Sequence, residues 1–544
     1  MLFWSVNTNA QITCQWGREG RKANSEAYSC ASDKDGNVFG AGYYINYDTL
    51  NFGGHLVFDT SGALGKDMFV VKSDSLGNYK WAITTRNIRT MQVNPINMVT
   101  DKSGNLYIYG AFQPMGRGSF SFGSFTIQDS IFSEASFLAK ISPTGTVLFL
   151  KNVMSGFVSG RMGIDDSDNI YISGHYSGTR VIGRDTLTSW PDYACFLGKF
   201  DSYGNRIWLK SIVGNAIYGY SVTANGTSYI QSSHSTTVVI GADTLLGSGF
   251  HMMKYNANGS LLWVKRLNLN TSYITTDKFE NIYSTGPFTG TLIFGRDTLR
   301  SHGGMDIYLS KADSANNVIW TRSAGGLRNN IASGVEVDTF GNVLIYGGMM
   351  DNLGIDTINF DGIILIPSPL SSDPWFVAQY STCGKFISAL AINSGGDDAN
   401  SISIPNKGSF YLFGDYIDTL VLANDTFISG PNRELPFIAK FRYNVYHDTM
   451  SSTLSGLDSV CKGASISLSS SLTLGTWLVT NGSASVVDGR VTGLSSGWDT
   501  ILFTTRNACG VSASYKPIYY KGECKRWYYY RTFLSVYRRY YIIE

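Results

Sequence analysis

Apolar and polar positions alternate in short runs along this chain, and the runs recur. Residues 67–81, DMFVVKSDSLGNYKW, set the pattern: an apolar run, an Asp-x-x-Gly turn, and a second run ending on an aromatic. Alternation over roughly four to eight residues marks a strand. A turn carrying Asp and Gly folds two such strands into a hairpin. Relatives of this hairpin occupy residues 136–149, 195–208, 250–263 and 307–320, each with a Lys nine residues before the aromatic. A second pattern, Gly-Asn-x-aromatic-x-x-Gly, appears as GNVFGAG at Gly36, GNLYIYG at Gly104, DNIYISG at Asp168, ENIYSTG at Glu280 and GNVLIYG at Gly341, with weaker copies at Asn225 and Lys407. Its aligned positions, Phe39, Tyr107, Tyr171, Tyr229, Tyr283, Leu344 and Tyr411, lie 54 to 68 residues apart.

Each period divides into four short antiparallel strands, and seven periods predict a β-propeller. The ends of the array predict how the ring closes. Fourth-strand aromatics fall at Trp81, Phe149, Trp208, Trp263, Trp320 and Phe386, whereas the position nine beyond Lys440 is Thr449, and an additional Trp16 precedes the first Gly-Asn strand. Residues 11–18 are therefore expected to pair with residues 435–442, leaving no sheet edge open. The expected fold class is all-β: a seven-bladed β-propeller over residues 11–445, closed by its N-terminal strand, followed by a small Ig-like β-sandwich over residues 449–520.

In that second segment Cys461, Trp477 and Cys509 stand in the Cys, Trp, Cys order of an Ig-like sandwich. A Cys461–Cys509 disulfide, worth about 4 kcal/mol on the chain-entropy estimate, is one reading. A free buried pair is the other. Residues 1–10, MLFWSVNTNA, read as a signal-peptide remnant. The Tyr/Arg-rich stretch 521–544 matches neither domain and reads as a strand remnant, a disordered end or an out-of-frame stretch rather than an RNA- or membrane-binding segment.

Composition agrees with many short strands: 59 Gly and 33 Tyr among 544 residues, with only 15% charged. A net charge of +2 provides no field for nucleic acid. No run approaches the ~20 apolar residues of a membrane-spanning helix. The seven cysteines show no CxxC or His-spaced cluster, so neither metal nor cofactor is expected. A monomer is the expected state.

The Gly-Asn-x-Tyr-x-x-Gly strand followed by Asp-x-Phe-x-x-Lys-x-Asp-x-x-Gly-x-x-x-Trp resembles the bacterial seven-bladed propeller repeats of the SBBP type, over roughly residues 11–445. The segment SVCKG at Ser459, with Trp477, VTG at Val491 and NACG at Asn507, resembles the bacterial Ig-like modules that accompany such propellers in secreted Bacteroidota proteins. The resemblance implies a secreted or cell-surface protein, and both families are defined by fold-forming residues rather than by a ligand. No type IX sorting domain is recognisable at the C-terminus.

Candidate chemistry is sparse. The oxygen-rich turns at 33–37 and 165–169 invite a Ca²⁺ reading, but plain turns fill the same place elsewhere, so a structural turn is favoured. Lys72, Lys140, Lys199, Lys254, Lys311 and Lys440 share one repeat position, as a basic ring lining a channel or, the favoured reading, as a solvated rim. No nucleophile elbow, zincin helix or P-loop occurs. The expected function is therefore non-catalytic binding or scaffolding. Its ligand, glycan or protein, would meet the variable connections 46–65, 113–122 and 352–373, with Arg117, Asp356, Asp361 and Trp375 as candidate ligand-binding residues. The alternative is a polysaccharide hydrolase or lyase whose carboxylates converge at the channel mouth.

Overall fold

The computed structural model describes residues 12–522 except 46–48, 59–64, 89–90, 115–117, 130–133, 156–159, 183–184, 269–272, 295–296, 352–353, 356, 368–373, 393–400, 407, 423–424, 446–452, 472–474 and 508–509. The signal-peptide reading of residues 1–10 and nearly all of the Tyr/Arg-rich stretch thus lie outside the described residues. The chain divides into two compact units, residues 1–447 and 448–544. Among the described residues every regular element is a strand, and no helix is long and apolar enough to cross a membrane.

The first unit repeats one four-stranded antiparallel module. In module 1, Ser25–Ser32, Val38–Ile45, Lys66–Ser73 and Tyr79–Ile88 pair in chain order. The same order starts again at Met91–Thr100, Gly160–Ile164, Ile217–Val222, Tyr273–Thr276, Ile331–Val337 and Ser401–Asn406. In module 7 the fourth strand comes from the other end of the chain: Thr13–Glu19 runs antiparallel to Asp425–Arg442, with Thr13 opposite Arg442 and Glu19 opposite Phe437. This is the pairing that Trp16 led us to expect. First strands of successive modules touch in cyclic order, and the first strand of module 7 returns to that of module 1. There Ser32 and Ser403 share a hydroxyl hydrogen bond of 2.7 Å.

The repeated Asp-x-x-Gly-Asn is a self-contained turn. Asp33 Oδ1 accepts the backbone N–H of Asp35 (3.0 Å) and of Asn37 (2.9 Å), while Asn37 Nδ2 donates to Oδ2 (2.7 Å). Asp74, Asp101, Asp165, Asp201, Asp277, Asp313 and Asp338 repeat this arrangement. At 33–37 and 165–169 the carboxylates are thus engaged by donors of the turn itself, which is the work of an Asx turn rather than of a cation loop.

Successive modules are clamped at their outer turns. Lys72 donates to Pro143 O (3.2 Å), Lys140 to Ser202 O (3.2 Å), Lys254 to Ser314 O (3.3 Å), Lys311 to Thr382 O (3.2 Å) and Lys440 to Ser75 O (2.9 Å), each reaching the next module round the ring. Two junctions vary the theme: Lys210 donates to Gly259 O (2.6 Å), and Gln379 to Asn444 O (2.8 Å). Each repeat lysine also lies over the aligned aromatic of its own module, at 4.6–5.6 Å from the ring centre. Asp33, Asp101 and Asp165 pair with Lys72, Lys140 and Lys199, whereas module 4 has Thr223 in place of Asp and Lys254 pairs with Glu280 of module 5. The lysines therefore form neither a solvated rim nor a channel ring: four of the side chains are only 7–13% exposed. Burying these ammonium groups is tolerated because each meets a carboxylate, a ring face or a carbonyl.

The fourth-strand aromatic completes the clamp. Trp16, Trp81 and Trp320 donate their indole N–H to Ser75 O, Pro143 O and Thr382 O, the carbonyls that the lysines also use. The ring then rests on the glycine of that turn, so closely that a Cβ on Gly77, Gly145, Gly204, Gly259 or Gly384 would come within 2.7–3.1 Å of it.

The connections between second and third strands fold into small hairpins at the periphery. Gly118–Phe122 of module 2 pairs with Tyr79–Ile88 of module 1, Ile358–Phe360 of module 6 pairs with Val318–Gly325 of module 5, and Asn51 bridges Arg21. Each covers an outer edge of the preceding module. The variable stretches nominated for ligand binding are thus partly consumed in protecting sheet edges.

In the second unit, Ser459–Cys461 runs parallel to Gly510–Lys521, which pairs with Gly497–Asn507 and through it with Thr476–Val479. A second sheet joins Ser465–Ser467, Arg490–Gly493 and Ala484–Val487. Val460, Leu468, Val491, Ile501, Ile518 and Tyr520 form the buried cluster of this unit, with Trp477 packed against it.

Gly145 (φ +89) lies under Trp81, whereas Gly290 (φ +67) has nothing near its missing Cβ. Both substitutions to Ala carry left-handed strain of about 1–2 kcal/mol, and only Gly145→Ala adds overpacking, of about 1–3 kcal/mol. Denaturant titration should show the larger loss for Gly145→Ala; equal losses would contradict the clamp.

Candidate binding site in the central cavity

The seven first strands enclose a cavity of about 590 Å³, within the usual size of small-ligand sites. Irregular pairing in modules 1, 2, 4 and 6 leaves Tyr28, Ile96, Tyr218 and Ser333 as extra residues in its wall. Such bulges re-aim side chains. Tyr220, Tyr273 and Tyr346 also line it, and its charged lining residues are Arg161 and Glu336.

Arg161 stands opposite Ser173, with its guanidinium carbon 5.3 Å from the centre of the Tyr273 ring. Glu336 stands opposite Leu344. Opposite the aligned positions of the other modules are Ala31, Val99, Gly163, Ser221, Thr275 and Ser403, so Glu336 alone places a charge at this level. Burial holds its carboxyl up at about 7. Some of the side chain reaches the cavity, yet protein surrounds it on every side, and the second property controls the ionisation. Among the described residues neither the Arg161 nor the Glu336 side chain makes a hydrogen bond or ion pair. Both lie within electrostatic reach of the Tyr346 phenol, which is raised by burial first and then by Glu336, with Arg161 opposing.

A second cluster lies where modules 1 and 7 meet. Tyr43 donates to Glu26, Lys66 donates to Tyr43, and Lys66 lies 4.0 Å from Glu26. Across the junction Asp415 accepts the backbone N–H of Ala27 at 3.0 Å. Burial, then the neighbouring Glu434, pushes the Asp415 carboxyl far above the carboxylate range. Tyr28, whose hydroxyl is pushed up to about 12 by burial and then by Glu26, Asp415 and Glu434, links this cluster to the cavity wall.

The residues nominated from sequence are not brought together. Trp375 is a core residue, 1% exposed and stacked on Phe437 at 5.8 Å, so it cannot meet a ligand. Its position after a variable stretch suggested a loop, but it begins the third strand of module 6. Asp361 lies at an exposed hairpin turn with φ +49. Arg117 and Asp356 lie outside the described residues, as does Cys509. Cys461 stands opposite Lys521, and the Cys461–Cys509 bridge, with one end at residue 509, lies outside the described residues. Cys14, Cys30 and Cys195 are free thiols. Arg161 and Glu336 escaped the sequence reading because each is a single charge in an otherwise ordinary strand.

No family model and no curated protein matches this chain. Among solved structures it is similar to the Dos1 propeller, at 8% identity and TM-score 0.36 over 79% of this chain and 95% of that one. It is also similar to a protein of unknown function from Bacteroides caccae, at 10% identity and TM-score 0.29 over 58% of this chain and 94% of that one. Likeness at this level carries no functional argument; the architecture rests on the strand pairings.

A carboxyl raised from 4.5 to about 7 by folding contributes its full stability below the lower value and loses it as pH rises through the upper one. Glu336→Gln, which cannot ionise, should therefore match the parent protein at pH 4 and exceed it in denaturant stability at pH 8. A difference that does not change with pH would contradict the enclosed carboxyl.

Proposed function

We propose that this chain is a non-catalytic extracellular binding or scaffold protein, with the seven modules as blades of a closed propeller and the second unit as an Ig-like spacer. The observation that carries the binding role is the central cavity, in which the Arg161 and Glu336 side chains make no hydrogen bond or ion pair among the described residues. Unpaired charges facing enclosed solvent cost stability, and a ligand that pairs them would offset that cost. Secretion is supported by the resemblance to secreted propeller proteins. The ligand is a glycan, met inside the ring rather than on the peripheral hairpins. Calorimetry against an oligosaccharide panel should give binding that Ser333→Trp, placed in the cavity wall, abolishes with its melting temperature retained. Undiminished binding by Ser333→Trp would move the site elsewhere.

One observation favours an enzyme as the second reading: Glu26, Asp415 and Glu434 converge with Tyr43 and Lys66 beside the wall residue Tyr28. Incubation with polysaccharides should release no new reducing ends. Sustained release that Glu434→Gln abolishes would replace the binding reading with a polysaccharide-cleaving one.

A further inference from the structure

The geometry points to an acidic sugar, a polyhydroxylated ring bearing one oxyanion, as the ligand unit of the central cavity, with Arg161 taking the anion and Glu336 a ring hydroxyl. This inference rests on the cavity being the binding site. Arg161 presents a planar guanidinium whose fork matches a carboxylate in bidentate fashion, and its place over Tyr273 at 5.3 Å holds that plane without consuming its N–H donors. With no lysine and no second arginine among the lining residues, the wall balances a single negative charge. A dianionic group would leave excess charge beside Glu336.

Glu336 sits at the level of Gly163, two residues along the first strand from Arg161. At the rise of a strand this separates the two groups by roughly 7 Å along the cavity, room for one ring between an anion and a hydroxyl. A carboxyl enclosed by protein pairs with a hydroxyl in either ionisation state, donating to it only when protonated and accepting from it when ionised, whereas an ammonium group would need it ionised. A hydroxylated acid therefore suits the pair better than an amino acid. Tyr28, Tyr218 and Tyr273 add aromatic faces and phenolic hydroxyls to the wall.

The test is calorimetry with the full chain and three forms of one oligosaccharide: a uronate form, its carboxyl-reduced neutral counterpart and a sulfated form. The parent protein is expected to bind the uronate at least tenfold more tightly than the neutral form, and Arg161→Gln to remove that preference. Arg161→Lys, which keeps the charge but not the fork, should retain part of the preference. Tighter binding of the sulfated form than of the uronate would reassign the anion from carboxylate to sulfate while keeping the acidic sugar. Equal affinity for acidic and neutral forms, or an acid preference that survives Arg161→Gln, overturns the inference while cavity binding stands. Failure of all three forms to bind overturns both.

Discussion

Seven four-stranded sheets become one body through contacts only a few atoms wide: a carbonyl in the outer turn of one module is gripped by the repeat lysine of the module before it at five junctions, and at three of these by a tryptophan indole as well. Pro143 O shows the arrangement most fully, receiving Lys72 at 3.2 Å and the Trp81 indole at 3.0 Å while Gly145 carries the indole ring. A single module has one buried face too few to stand alone, so its stability depends on neighbours on both sides. The clamp specifies how those neighbours sit. It also explains why a charged residue recurs at a position that is largely buried: the ammonium, on its long stem, crosses the junction and carries three donors to spend there.

Much of this architecture was legible in the chain because hairpin turns and strand alternation are local. The Asp-x-x-Gly-Asn spacing encodes its own hydrogen bonds, and the misplaced Trp16 revealed a strand borrowed from the far end of the chain. The lysines were misread because their partners belong to the next module, and no spacing within one repeat states which neighbour a side chain will face. Trp375 failed for the opposite reason: a residue bordering a variable stretch looked exposed, although its strand register buries it against Phe437. Arg161 and Glu336 are two ordinary residues far apart in sequence, and only closure of the ring places them in one cavity.

Where clamp residues are absent, the compensation is visible. Thr223 supplies no carboxylate to Lys254, and Glu280 of the following module does. Module 6 offers Gln379 in place of a lysine; Gln379 reaches Asn444 O, and Asp338 receives the Tyr443 hydroxyl at 2.9 Å. Such substitutions occur without loss of the cyclic contact between first strands, and it is that contact which encloses the cavity. Scaffold and site are thus separable in this molecule: the outer turns carry the closure, and the inner strands are free to differ.

Everything attributed to the cavity depends on the ring being closed by Thr13–Glu19 against Asp425–Arg442. Hydrogen exchange of residues 437–442, compared between the full chain and a chain lacking residues 12–19, measures this directly. Closure predicts protected amides along 437–442 in the full chain and a loss of that protection in the shortened one. Protection that is the same with and without the N-terminal strand would contradict the closed ring.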